Sequence, residues 1–168
     1  MLLRPNFIVD KVSEVTPGFL RERGIRAVMV DLDDTLVAGG ASILDPAFTS
    51  WLDTLKAAHL PILILSNGSR KRVARWSRDL GVLGLSLVGK PFIFAFRRGL
   101  KRLGSEAGET AMIGDQLFTD VLGANIAGMT SILVTPLAPG NLFHTRLLRH
   151  LEARILRGGD RGGSIHRR

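Results

Sequence analysis

The 168-residue chain contains no cysteine, which removes disulfides, thiolate metal sites and cysteine nucleophiles together. Any catalysis must rest on oxygen and nitrogen groups. It also has no apolar run approaching the roughly 20 residues that span a bilayer, so an integral membrane protein is not expected. The opening Met1-Leu2-Leu3-Arg4-Pro5 lacks the basic-then-apolar order and the small-residue cleavage site of a secretory signal. The expected location is therefore cytoplasmic, with peripheral contact on the inner face of a membrane as an added option. His59, His144, His150 and His166 show no ligand spacing supported by neighbouring donors and read as structural or surface residues.

What is present begins with charge. Lys and Arg number 23 against 15 Asp and Glu, a formal +8, and such a surface concentrates anionic partners: phosphorylated substrates, nucleic acid or acidic lipid. Much of the excess lies in residues 141–168, where seven arginines face only Glu152 and Asp160 for a net of +5. The hydrophobic fraction of 45% is ordinary for one globular domain, expected over residues 1–157, with 158–168 as a flexible basic tail.

Periodicity organises the domain. Thr16-Pro17 is an N-cap followed by proline at the first helical position, and Gly24 is a helix stop, so residues 16–23 read as a short helix. Residues 25–30 form an apolar run with little alternation, as in a strand covered on both faces. A helix from Asp45-Pro46 to about His59 follows, then a strand over 61–65, a helix over 69–80, a short apolar run over 83–88 and a helix over 91–103. A strand at 111–113, a helix over about 117–127 and a strand over 131–135 complete the series. Alternating strands and helices predict an α/β fold with a doubly wound parallel sheet.

In open parallel sheets the ligand site lies beyond the carboxyl ends of the strands. Four polar groups directly follow apolar runs: Asp31-Leu32-Asp33-Asp34-Thr35, Ser66-Asn67-Gly68, Gly89-Lys90-Pro91, and Gly114-Asp115 with Thr119-Asp120. Asp31 and Asp33, at i and i+2 past a strand end, can both reach a cation if the chain turns, and Asp115 offers a third carboxylate; hard oxygen ligands suit Mg²⁺. With the cation holding these carboxylates ionised, one is free to attack phosphorus. Asp31 is the candidate nucleophile, and Asp33 the carboxyl that protonates the leaving oxygen and later accepts a proton from water. Ser66, Asn67 and Lys90 are the candidate phosphate-binding groups, joined by main-chain donors of the helix that starts near Ser69. Asp120 has a plainer alternative, since an aspartate in the first turn of a helix is favoured by the dipole alone. Arg70, Lys71, Arg72 and Arg75 crowd a helix near this rim, either to attract an anion or as a solvated face.

Taken together, these groups resemble in order and chemistry the four motifs of the haloacid dehalogenase-like (HAD) superfamily. Asp31, Asp33 and Thr35 match the first, Ser66 the second, Lys90 the third, and Asp115 with Asp120 the fourth. The resemblance implies Mg²⁺ bound by Asp31, the main-chain carbonyl of Asp33, and Asp115, with Thr35 and Asp120 behind them or Asp120 reaching the ion through water. An aspartate at position 33 implies a phosphatase or phosphotransferase. Only 30 residues separate Thr35 from Ser66, and 23 separate Ser66 from Lys90, which leaves no room for a cap domain. Such capless members accept bulky substrates in an open site or use a neighbouring subunit as a lid.

A finer resemblance rests on Thr16-Pro17, Arg23-Gly24-Ile25, Asp31 to Val37, Lys90-Pro91 and Ile113 to Asn125. These stretches are similar to the YqeG-like branch, which includes phosphatidylglycerophosphate phosphatases. Asp34 stands where that branch often has Asn, and Gly68 where a second Asn is common. The branch implies a phosphorylated anionic phospholipid as substrate, and a soluble sugar or nucleotide phosphatase is the alternative with the same catalytic residues. A third reading, a nucleic-acid or ribosome-associated binding module on a HAD scaffold, has only the basic tail behind it; the tail lacks the interleaved aromatics that stack on bases. In residues 141–157, Phe143, Leu147, Leu151 and Ile155 recur every four positions beside arginines. That stripe can pack on the sheet or lie on an anionic membrane.

Overall fold

A computed structural model describes residues 2–37, 44 and 46–137. The expected helix over 141–157, the tail 158–168 and the Asp45 cap lie outside the described residues. The elements in order are β1 (Phe7–Val9), α1 (Pro17–Arg21), β2 (Ala27–Val30), α2 (Pro46–Ala57), β3 (Ile62–Leu65), α3 (Arg70–Leu80), β4 (Leu83–Leu85), α4 (Ile93–Leu103), β5 (Thr110–Gly114), α5 (Leu122–Ala127) and β6 (Thr130–Val134). Short 3-10 turns precede α1 and β5, and one π-helical turn, Leu117–Val121, leads into α5.

All six strands pair in parallel, in the order β1-β6-β5-β2-β3-β4. The sheet explains the continuous apolar runs. Every residue of β2 and β3 is buried, and successive side chains point to opposite faces. Val28, Val30, Ile62, Ile64 and Ile113 meet the core beneath α1, α2 and α3, whereas Met29, Leu63, Leu65 and Met112 meet the core beneath α4 and α5. Helices on both faces make the sheet doubly wound, as the alternation of elements predicts. Close contact on the second face uses glycines: a Cβ on Gly99 of α4 would stand 2.8 Å from the Met29 sulfur, and one on Gly123 of α5 would strike Phe96.

Helix ends follow the expected chemistry. Thr16 Oγ1 accepts from Phe19 N at 3.1 Å with Pro17 in the first turn, and Ser69 Oγ accepts from Arg72 N at 3.4 Å. Gly81, Gly104 and Gly128 close α3, α4 and α5 in the left-handed conformation, where glycine has no steric penalty. Strand β1 departs from the sequence reading, which places nothing before Thr16. Three residues give too short a pattern to register, and the strand exists only through partners about 125 positions away: Phe7 pairs with Ile132, and Asn6 Oδ1 accepts from Ser131 N at 2.8 Å.

From β2 the chain winds outward through β3 and β4, then returns to the other side of β2 as β5 and continues to β6. The switch point therefore lies between β2 and β5. Between Thr35 and Ser66 the described residues hold only α2 and β3, and between Ser66 and Lys90 only α3 and β4. Among the described residues no helix is long and apolar enough to cross a membrane.

Candidate active site

The site sits at the switch point because β2 and β5 are neighbours. Their register pairs Val30 with Ile113, and Asp31 N continues the ladder by donating to Ile113 O at 2.9 Å. Asp31 and Asp115 thus leave adjacent strands on one edge. After Asp31 the chain turns sharply: Asp34 adopts φ 59°, and its N–H donates to Val37 O at 2.8 Å. Leu32, Leu36 and Val37 anchor the turn in the core. Thr35 faces inward, its hydroxyl donating to Asp115 Oδ1 at 3.2 Å.

Asp31, Asp115 and Asp120 are all buried, and each offers a carboxylate oxygen within 4.8 Å of the others. Lys90 enters this acidic group from the loop after β4. Its side chain is 2% exposed, and Nζ donates to Asp31 Oδ1 at 2.7 Å and to Asp120 Oδ1 at 2.6 Å. Asp120 is held by the π-turn, where its Oδ2 accepts from Gln116 N at 3.2 Å. Gly114 makes room for it, since a Cβ there would fall on the Asp120 carboxyl.

The electrostatics follow from burial. Loss of water and the nearby Asp120 charge raise Asp31 to about 7, against the lowering pull of Lys90. Burial and the Asp31 charge raise Asp115 to about 6, and burial pushes Asp120 upward despite its contact with Lys90. Burial alone would lower the Lys90 ammonium, but the Asp120 and Asp31 carboxylates outweigh it and the net shift is upward. Three carboxylates around one ammonium leave the pocket with surplus negative charge when all are ionised. An all-oxygen group of this spacing fits a hard divalent cation, which would offset that surplus.

The second and third motifs meet the first across the same edge. Ser66, 1% exposed, directly follows β3, and its Oγ accepts from Gly68 N at 2.9 Å. Gly68 is needed there, because a Cβ would stand 3.0 Å from Ser66 Oγ and 3.2 Å from Asp33 Oδ2. The Asn67 side chain is occupied by Lys90: its Nδ2 donates to Lys90 O at 3.1 Å, and its Oδ1 accepts from Lys90 N at 2.8 Å. In this arrangement Asn67 fixes the lysine's backbone. Asp33 stands apart from the three buried carboxylates; its carboxylate, 37% exposed, accepts from Arg72 Nε at 2.8 Å.

Arg72 belongs to the basic cluster read from sequence as attracting an anion or as a solvated face, and the structure pairs it with Asp33. Ser69 caps α3, so Arg72 falls on the first turn beside the strand ends, and that spacing was a signal available in the sequence. Its Nη2 is shielded from solvent with no hydrogen-bond partner.

The likeness to known proteins agrees with this arrangement. A family model described as HAD-hydrolase-like matches residues 87–136. The chain is 35% identical over 161 residues to the Bacillus subtilis protein named "Probable phosphatase YqeG", covering 96% of this chain and 94% of that one. It is 25% identical to the phosphatidylglycerophosphate phosphatase 1, chloroplastic/mitochondrial, of Arabidopsis thaliana, over 95% of this chain but only 49% of the plant protein. In fold it resembles the cobalt-bound deoxy-D-mannose-octulosonate 8-phosphate phosphatase of Haemophilus influenzae, with a TM-score of 0.55 at 20% identity over 78% of this chain and 89% of that one.

Proposed function

Since the chain belongs to the HAD-like hydrolases and is a phosphatase, we propose that it cleaves phosphomonoesters through an aspartyl-phosphate on Asp31, and that its substrate is phosphatidylglycerophosphate. The observation that carries the chemistry is Lys90 Nζ bridging the Asp31 and Asp120 carboxylates within a pocket that Asp115 completes. Asp31, Asp115 and the main-chain carbonyl of Asp33 are the groups to hold Mg²⁺, with Asp120 beside them. When bound, Mg²⁺ supplies positive charge that keeps the carboxylates ionised and offsets charge on the phosphoryl oxygens.

Asp31 attacks phosphorus as the phosphorus–oxygen ester bond breaks, and the departing oxygen takes a proton from the Asp33 carboxyl. Water then attacks the acyl-phosphate, the phosphorus–oxygen bond to Asp31 breaks, and Asp33 takes up the proton the water loses. Asp33 suits both halves because its partial exposure lets it exchange protons with solvent. Ser66 and Lys90 stabilise the charge spread over the equatorial oxygens, and Asn67 acts through the lysine it holds.

The lipid assignment is supported by the similarity to the plant enzyme over nearly this whole chain, and by the absence, among the described residues between Thr35 and Lys90, of a cap that would exclude a headgroup in a bilayer. The test is Mg²⁺-dependent phosphate release from phosphatidylglycerophosphate in mixed micelles, compared with a panel of soluble phosphoesters. Asp31→Asn should lower every activity by ~10³ or more while leaving the fold intact. Turnover of soluble esters without release from the lipid would discard the substrate and keep the chemistry; full activity in Asp31→Asn would discard the nucleophile.

A further inference from the structure

The segments that follow the carboxyl ends of β4 and β5, as far as the first turn of α4 and the π-helical turn, carry large apolar side chains into solvent. Leu87, Phe92, Phe94 and Phe118 are each more than half exposed. Eight large hydrophobic residues are exposed among the described residues, and these four, with Leu137, account for five of them. Leu137 belongs to the same edge because its N–H donates to Asp34 O at 2.8 Å. Scattered exposed apolar residues need no explanation, but a concentration around one mouth marks an interaction surface.

The rim is tied directly to the active site. Phe92 lies two residues beyond Lys90 and Phe118 two before Asp120, and those polar residues touch at 2.6 Å. The rings of Phe92 and Phe94 stack, with centroids 5.9 Å apart and planes 8° from parallel. Both lie over Gly89, where a Cβ would approach the Phe94 ring to 3.3 Å. Leu87 is anchored to the phosphate-binding turn through its N–H to Gly68 O at 3.2 Å.

Charge identifies the occupant. Arg70 and Lys71 are exposed on the first turn of α3, which holds no acidic residue, immediately after Ser66-Asn67-Gly68. Apolar side chains beside exposed cations suit a surface that is itself anionic outside and apolar beneath. A second copy of this chain docked isologously would bring its own Arg70 and Lys71 to the same interface. The chain's own residues 141–168, with seven arginines against two acids, would also bring like charge.

We propose that the rim of Leu87, Phe92, Phe94 and Phe118 seats the active-site mouth on an anionic lipid bilayer. Arg70 and Lys71 then meet headgroups while the apolar side chains enter the acyl boundary, so a phosphate at the membrane surface stands opposite Asp31. The inference rests on the lipid-substrate reading, but its test does not pass through catalysis.

The experiment is flotation of the full chain, in chelator, with vesicles of equal parts phosphatidylglycerol and phosphatidylcholine, and with vesicles of phosphatidylcholine alone. The wild type should float with the first and far less with the second. Phe92→Ser/Phe94→Ser/Phe118→Ser should lower partitioning about tenfold or more, with hydrolysis of para-nitrophenyl phosphate unchanged. Should that variant fail to fold, Phe92→Trp in an otherwise native chain should be quenched by brominated acyl chains, beyond any quenching of Trp51 and Trp76 in the wild type. Equal flotation of wild type and variant, absence of the added quenching, or a wild-type dimer that the rim substitutions dissociate would each overturn the proposal. Release of phosphate from micellar phosphatidylglycerophosphate without vesicle binding would overturn the docking surface alone. Vesicle binding without lipid hydrolysis would keep the surface and discard only the substrate.

Discussion

Arg72 Nε donates to Asp33 Oδ1 at 2.8 Å, so the carboxyl proposed to move protons is held by a guanidinium from the first turn of α3. Both side chains are partly open to solvent, at 26% and 37%, where an ion pair contributes little to stability. The same contact fixes where the Asp33 carboxyl stands relative to Ser66 and Gly68.

Arg72→Ala should therefore change the unfolding free energy by less than about 1 kcal/mol while lowering kcat on para-nitrophenyl phosphate about tenfold. Arg72→Lys should recover part of that rate by restoring a cation. Urea denaturation and steady-state kinetics on the three proteins decide the matter, and an unchanged kcat would reduce Arg72 to a surface partner.

Lys90 presents the opposite case. With its side chain 2% exposed between Asp31 and Asp120, its removal leaves buried carboxylates without a counter-charge, a loss of about 3–5 kcal/mol. Lys90→Met should show more of that loss at pH 8 than at pH 5, where Asp31, raised to about 7, holds its proton and needs no counter-charge. Mg²⁺ should restore part of the stability. Equal destabilisation at both pH values would locate the effect in packing.

The raised carboxylates predict a pH dependence of the metal-free protein. Asp31 at about 7 and Asp115 at about 6 both lie above the ordinary aspartate value of 3.8. Over that interval the folded protein keeps protons that the unfolded chain has released, so stability must fall as pH rises from about 4 through 7. Calorimetry in chelator should show Tm declining across this window. With saturating Mg²⁺, which binds the ionised carboxylates, the decline should flatten, and Mg²⁺ affinity should itself increase with pH. A Tm in chelator that climbs between pH 4 and 7 would contradict the shifts.

Gly114 provides a subtler probe of the same site. A methyl at this position would fall on the Asp120 carboxyl, so Gly114→Ala should displace Asp120 from Lys90. Mg²⁺ affinity should drop about tenfold, as when a group supporting a metal ligand is disturbed. Gly108→Ala meets nothing within 4 Å and is the control. Calorimetric titrations with equal affinity for both variants would show that Asp120 does not support the metal site.

Much of this protein follows from local chemistry that a sequence carries in the open. Strands β2 and β3 are visible because residues buried on both faces of a sheet must be apolar without interruption, and the start of α1 is visible because Thr16 before Pro17 has few other reasons to stand where it does. Most boundaries shift by a residue or two, as at β2, expected from 25 and observed from Ala27, whereas the run expected over 83–88 is a strand only to Leu85 and α5 begins at Leu122. The acidic and basic site residues announce themselves by following those strands directly. Strand β1 and the π-turn of Leu117–Val121 were not legible in this way. One depends on a distant strand, and the other is a local widening of a helix whose apolar pattern reads as ordinary.

Sequence by itself determined the chemical inventory: no thiol, oxygen ligands in excess, a lysine and a serine after strands, and a parallel α/β order that sends all of them to one edge. Tertiary structure alone decided which of these groups touch. Lys90 meets Asp31 and Asp120, residues 59 and 30 positions away, because β2 and β5 lie side by side and the loop after β4 folds back over them. Asn67 turned toward the lysine's backbone, Asp33 toward Arg72, and Phe92 and Phe118 toward solvent on the same rim. Strand periodicity fixes which side of a sheet a residue faces, but contacts between loops depend on how neighbouring strands are ordered, and that order is set by burial of the whole core.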